Sequence, residues 1–131
     1  MSFLLLGTTY KNLAKIEKSF VMYNHAVSFA EDTNYIQVKA KALTGLAELY
    51  RIQNKIETAL TRHQESIEIL DRIRAKCDLA EAYFQLALTY QKMEDTASSE
   101  EYFNKAIYLW GPEQIDAPRQ IERVLKSMNN E

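Results

Sequence analysis

Tyrosines at positions 10, 50 and 90 stand 40 residues apart, and the residues around them keep the same register. Phe3, Leu43 and Tyr83 align, as do Leu6, Leu46 and Leu86; Gly7, Ala47 and Ala87; Ser19, Ala59 and Ser99; Tyr23, His63 and Phe103; and Ala26, Ser66 and Ala106. Large residues face large ones along these columns, and small face small. A period of this length marks a chain built from repeated supersecondary units, none of which can bury its apolar face alone.

Residue size shows what each unit is. Leu6-Gly7, Leu46-Ala47 and Leu86-Ala87 each set a core leucine beside a residue small enough for a neighbouring helix to approach. The tyrosine follows three positions later, on the same helical face. The second half of each unit repeats the device: a small residue at 19, 59 or 99, a large one four later and a small one three after that. The spacing predicts helices over about 3–13, 15–30, 36–53, 55–73, 77–93 and 96–110. A last helix over about 113–128 departs from the columns, since Arg123 and Lys126 stand forty residues beyond Tyr83 and Leu86. Ile121, Val124, Leu125 and Met128 are expected on its one apolar face, as a cap requires. Gly111-Pro112 is expected to end the sixth helix and open the seventh.

The expected fold is therefore all-α: three stacked antiparallel helical hairpins of an α-solenoid plus a C-terminal capping helix. One domain over 1–131 is expected, with units at about 3–34, 36–74 and 76–110 and the cap at 113–128. Only 3 Gly and 2 Pro occur in 131 residues, which suits long helices joined by tight turns. Hydrophobic residues at 47% support a packed core.

The columns resemble the tetratricopeptide repeat. Its first helix carries a large residue, then Leu-Gly, then Tyr, and its second carries Ala, an aromatic and Ala. The middle unit here reads Leu43-Thr44-Gly45-Leu46-Ala47-Glu48-Leu49-Tyr50, followed by Ala59, His63 and Ser66. The third reads Tyr83 through Leu86-Ala87 to Tyr90, followed by Ser99, Phe103 and Ala106, and the first keeps the glycine at Leu6-Gly7. The common repeat has 34 residues, so this chain is similar to the longer-period arrays of bacterial regulatory and eukaryotic scaffold and motor-cargo proteins. It lacks the family's proline after the second helix, and Ala14, Asn54 and Glu94 replace the turn glycine. The hairpin turns are accordingly expected to be held by packing rather than by special backbone angles.

The resemblance implies a protein- or peptide-binding scaffold acting through the concave face lined by first helices. Carried onto this chain, the groove residues are Leu4, Thr8, Lys11 and Asn12; Lys41, Thr44, Glu48, Arg51 and Ile52; and Glu81, Phe84, Leu88, Gln91 and Lys92. Phe84 and Leu88 are expected to lie under the C-terminal helix. The mixture of charge, amide and apolar atoms suits an extended peptide or an acidic-hydrophobic helix better than a small metabolite.

Composition and motifs argue against other classes. Sixteen Lys and Arg interleave with eighteen Asp and Glu for a net charge of -2, which leaves no basic stripe for nucleic acid. No stretch approaches the roughly 20 apolar residues of a membrane span, and the start lacks the basic leader of a signal peptide. A single cysteine, Cys77, excludes an internal disulfide and fits a reducing, cytoplasmic compartment. His63 falls in the aromatic core column, and neither it nor His25 has a nucleophile and an orienting carboxylate at useful spacing. No phosphate-cradling loop or metal spacing occurs, so no cofactor and no enzymatic activity are expected. Two alternatives remain: a homo-oligomerisation module and a fragment of a larger regulatory repeat protein. Phe3, Leu4, Leu5 and Leu6 cannot all face one partner helix, since consecutive positions point about 100° apart. A homodimer through the N-terminal hairpin follows as an expectation.

Overall fold

The computed structural model describes residues 2–129; Met1, Asn130 and Glu131, the ends of the expected domain, lie outside it. Seven helices and no strand occur among the described residues: α1 (Phe3–Asn12), α2 (Ile16–Thr33), α3 (Ile36–Ile52), α4 (Ile56–Arg72), α5 (Lys76–Lys92), α6 (Thr96–Leu109) and α7 (Pro118–Met128). The chain divides into two compact units, one ending at Ile73 and the next beginning at Arg74. In the N-terminal unit α1 pairs with α2 and α3 with α4, while α2 and α1 both pack on α3, so two antiparallel hairpins lie side by side. The C-terminal unit is the hairpin α5–α6 with α7 packed on α6. The all-α hairpin architecture with a C-terminal helix is thus the one the columns imply.

The hairpin turns differ from expectation. Ala14, Asn54 and Glu94 all adopt the left-handed conformation, with φ of 59°, 62° and 62°. Special backbone angles hold these turns, even though no glycine supplies them. The reason is the hydrogen bonding at each helix end. Lys15 N donates to Tyr10 O at 2.8 Å, Lys55 N to Tyr50 O at 2.8 Å and Asp95 N to Tyr90 O at 3.0 Å. In each turn the left-handed residue donates to the carbonyl three before it, at 2.9–3.0 Å. Together these bonds satisfy the last carbonyls of the first helix. The tyrosine column therefore marks both a packed ring and the carbonyl that closes the turn.

Small residues matter most where Tyr23 enters. A Cβ added at Gly7 would lie 2.7 Å from Tyr23 Cδ1, and one added at Gly45 would lie 2.6 Å from Tyr23 Cε1. The ring thus occupies a slot between α1 and α3 that only paired glycines leave open. Its hydroxyl meets Thr8 Oγ1 at 2.9 Å, and Ser19 Oγ donates to the Gly7 carbonyl at 2.6 Å. Burial pushes the Tyr23 phenol above its ordinary pKa, against the lowering effect of the Thr8 bond.

The C-terminal unit is built from aromatic rings instead. Phe84 lies 6.0 Å from Phe103 and 6.3 Å from Trp110 between ring centroids, in a core completed by Ala80, Ala87, Ala106 and Val124 of α7. Two details of α7 depart from expectation. The helix begins at Pro118 rather than near 113, because turns fill the segment after Trp110 and Pro118, not Pro112, takes the first helical position. Leu125 is 48% exposed, so the buried face carries Val124 with Ile121 and Met128 beside it.

Candidate protein-binding surface

In the N-terminal unit, pairing α1 with α3 brings Lys11 and Glu48 together across 37 positions of sequence. Lys11 Nζ donates to Glu48 Oε1 at 2.8 Å, and the two side chains keep only 18% and 14% of their exposure. A pair so sheltered fixes two long side chains in one geometry better than a fully solvated pair does. Asn12 on α1 and Lys41 on α3 are exposed, and Arg51 is half-buried one turn beyond Glu48. Ile52 adds an apolar edge at 49% exposure.

Thr44 departs from its expected role as a groove residue. It is buried, its hydroxyl meets Ser66 Oγ at 2.6 Å, and Ser66 Oγ in turn donates to the Ala40 carbonyl at 2.8 Å. Thr44 therefore joins α3 to α4 and presents nothing to a ligand. His63 lies in the same unit, fully buried on α4. Burial lowers its pKa to about 3, and the positive charge of Arg51 pushes in the same direction. The imidazole is a neutral core group at physiological pH, not a general base. His25 is exposed and packs its ring 5.2 Å from that of Phe3.

The first-helix face of the C-terminal unit is already occupied. Arg123 of α7 forks onto Glu81, with Nη1 to Oε1 at 2.7 Å and Nη2 to Oε2 at 3.1 Å. The same guanidinium sits 4.2 Å from the centroid of Phe84, and Gln91 Nε2 donates to the Ser127 carbonyl at 2.9 Å. Phe84 is 2% exposed and Leu88 packs against the same core. Neither reaches a partner while α7 stays in place, because the helix and the aromatic core share that surface.

One feature had no signal in the repeat columns. An apolar pocket of about 410 Å³ opens among Phe3, Leu4, Ala26, Phe29, Tyr35 and Val38, with Ser2 at its rim. Phe3 and Leu5 at the start of α1 are 41% and 52% exposed. Cys77 is exposed near the start of α5. Among the described residues no group of three or more His, Cys, Asp or Glu is placed to hold a metal, and no helix is long and apolar enough to cross a membrane.

The sequence profile of the tetratricopeptide repeat matches residues 38–110, and a second profile of the same description matches residues 2–33. Neither match reaches α7. No curated protein matches the chain. The crystal structure of BtubC (BKLC) from P. vanneervenii superposes with a TM-score of 0.80 at 17% identity, over 96% of this chain and 52% of that one. This chain spans about half the length of that protein, and at such identity the likeness is one of fold.

Proposed function

Because the chain belongs to the tetratricopeptide repeat family, we propose that it is a scaffold that binds an acidic peptide across α1 and α3 of its N-terminal unit. Protein binding without catalysis is the general work of this repeat. The single observation that carries the finer reading is the Lys11–Glu48 pair. It joins the two first helices of the unit, and α3 also carries the exposed Lys41 and the half-buried Arg51, before and after Glu48 in sequence. An extended peptide with acidic side chains would find cations there, with Asn12 available for its backbone and Ile52 for an apolar side chain. A cytoplasmic setting belongs to this reading, supported by the single cysteine of the sequence.

Titration of the native partner against Lys41→Glu with Arg51→Glu tests the surface. Affinity is expected to fall at least tenfold, and Lys41→Glu alone, at an exposed position, is expected to leave the thermal midpoint nearly unchanged, since a solvated charge contributes to complementarity more than to stability. Unchanged affinity would place the partner on another surface.

A homodimer through the N-terminal hairpin is a second reading, favoured by the exposure of Phe3 and Leu5. Leu5→Glu is the clean disruptor, because Leu4 is half-buried. Sedimentation velocity would show a concentration-dependent dimer in the parent that the variant loses. A parent that stays monomeric at high micromolar concentration removes this reading.

A further inference from the structure

We propose that the α5 surface under α7 is a second binding surface, one that takes an amphipathic helix of a partner protein bearing an arginine in α7's register, and takes it by displacing α7. This surface belongs to the C-terminal unit and stands independently of the one across α1 and α3.

The chemistry of the occupant is written in the contacts α7 makes. A carboxylate set beside the face of an aromatic ring is a receptor for a guanidinium, which can fork onto the one and stack on the other. Glu81 and Phe84 form that pair, and Arg123 occupies it. One residue after the arginine, Val124 enters the aromatic core, with Ile121 two before the arginine and Met128 five after it at the margin. Gln91 completes the surface by donating to a main-chain carbonyl, Ser127 O, so that contact is open to any helix ending at the same height. The recognised pattern is therefore an arginine with apolar residues at -2, +1 and +5, and it requires nothing else of α7's sequence.

The hold on α7 is light for a helix that covers a core. Val124 is its only fully buried side chain, Arg123 and Glu81 remain 43% and 36% exposed, and Leu125 turns to solvent. Eleven residues are too few for a helix to persist alone in water. The segment before it is not helical and closes on the end of α6 through Ile115 N to Leu109 O at 3.1 Å and Ala117 N to Trp110 O at 2.8 Å, bonds that lie outside α7 itself. An undocked α7 therefore unravels, leaving Glu81, Phe84 and Gln91 to a helix that carries the same pattern.

The test uses the full chain and a labelled helical peptide of alanine and lysine that carries only the arginine and the three apolar residues at those spacings. Val124→Asp is expected to release α7, because the core has no place for a carboxylate, and to raise the peptide's affinity at least tenfold over the parent. The same peptide with glutamate in place of arginine is expected to lose that gain. Equal affinity for parent and variant, or equal binding of the glutamate peptide, would overturn the proposal. Should Val124→Asp unfold, Arg123→Glu serves instead, with a gain of about threefold expected. Amide exchange in the parent provides a check without any variant. Residues 120–128 are expected to exchange faster than the α5–α6 hairpin, and exchange of α7 only together with that hairpin would sink the displacement. A parent dimer that exchanges α7 between copies, seen by sedimentation, would make the occupant a second copy and likewise overturn it.

Discussion

Tyr23, His63 and Phe103 hold one position of the repeat in three successive hairpins, and the two units fill it by different chemistry. In the N-terminal unit the tyrosine ring needs two glycines to make room and a threonine to satisfy its hydroxyl, and the histidine is buried as a neutral imidazole. In the C-terminal unit Phe103 packs among Phe84 and Trp110, with alanines as its small neighbours. The first solution ties helices together through fitted polar groups, whose partners are costly to lose once buried. The second depends on ring area alone, which is less sensitive to pH and to geometry at one atom. One repeat pattern thus tolerates both, provided each large residue meets small ones.

The largest expected break comes from the aromatic side. Phe103→Ala should destabilise the C-terminal unit by about 3–5 kcal/mol, combining lost burial with a cavity that surrounding rings cannot close. Trp110, the only tryptophan, sits in that core, so its fluorescence during urea unfolding follows this unit directly. A shift under about 1 kcal/mol would show that the rings repack freely and that the column is not the seat of stability.

The pH dependence separates the units next. His63 has its folded pKa lowered from 6.5 to about 3, so between those values the unfolded chain binds a proton that the folded chain refuses. Stability is complete above pH 6.5 and falls as the pH drops through that window, by about 2–3 kcal/mol at pH 4.5. His63→Phe, which installs the residue that the third hairpin uses, should flatten this part of the profile. An unchanged slope in chemical denaturation between pH 7 and 4.5 would show that His63 is not the group responsible.

Gly45→Ala probes the tyrosine slot, with an expected loss of about 1–3 kcal/mol from the collision of the new methyl with the Tyr23 ring. Tyr23→Leu in the same chain should recover part of that loss, so the two changes should be non-additive. Strict additivity in denaturant unfolding would place the cost of Gly45→Ala elsewhere.

This slot also shows how far the sequence could be read. The period of 40 placed Leu46, Ala47 and Tyr50 correctly on one packed helix, since those columns recur in every unit. Gly45 aligns with Leu5 and Gln85, so no column singled it out, although Tyr23 depends on it. Trp110 likewise aligns with Ala30 and Leu70, and its place in the core reflects the aromatic build of one unit alone. At the candidate surface, residue types on the α1 and α3 faces were legible, but their pairing was not. Lys11 finds Glu48 only because the hairpins set α1 beside α3. Thr44 read as a polar surface residue because its partner Ser66 lies 22 positions away on α4.

The smallest expected effect concerns the turns, where the units again meet one demand with different residues. Ala14 and Asn54 serve the N-terminal unit and Glu94 the C-terminal one, all with φ near 60°. A left-handed conformation costs a residue with a Cβ about 1–2 kcal/mol, whereas glycine adopts it freely but loses more backbone entropy on folding, about 0.5–1 kcal/mol. Relief exceeds loss for glutamate and alanine, so Glu94→Gly and Ala14→Gly should each stabilise by about 0.5–1 kcal/mol. Asparagine visits this conformation readily because its short side chain bonds locally, so Asn54→Gly should change stability by no more than about 0.3 kcal/mol. Urea midpoints of the three variants measure the difference. Equal gains at all three positions would mean that asparagine has no advantage here. A loss at Glu94 would mean that its side chain holds the turn in a way the backbone bonds to Tyr90 and Gln91 do not reveal.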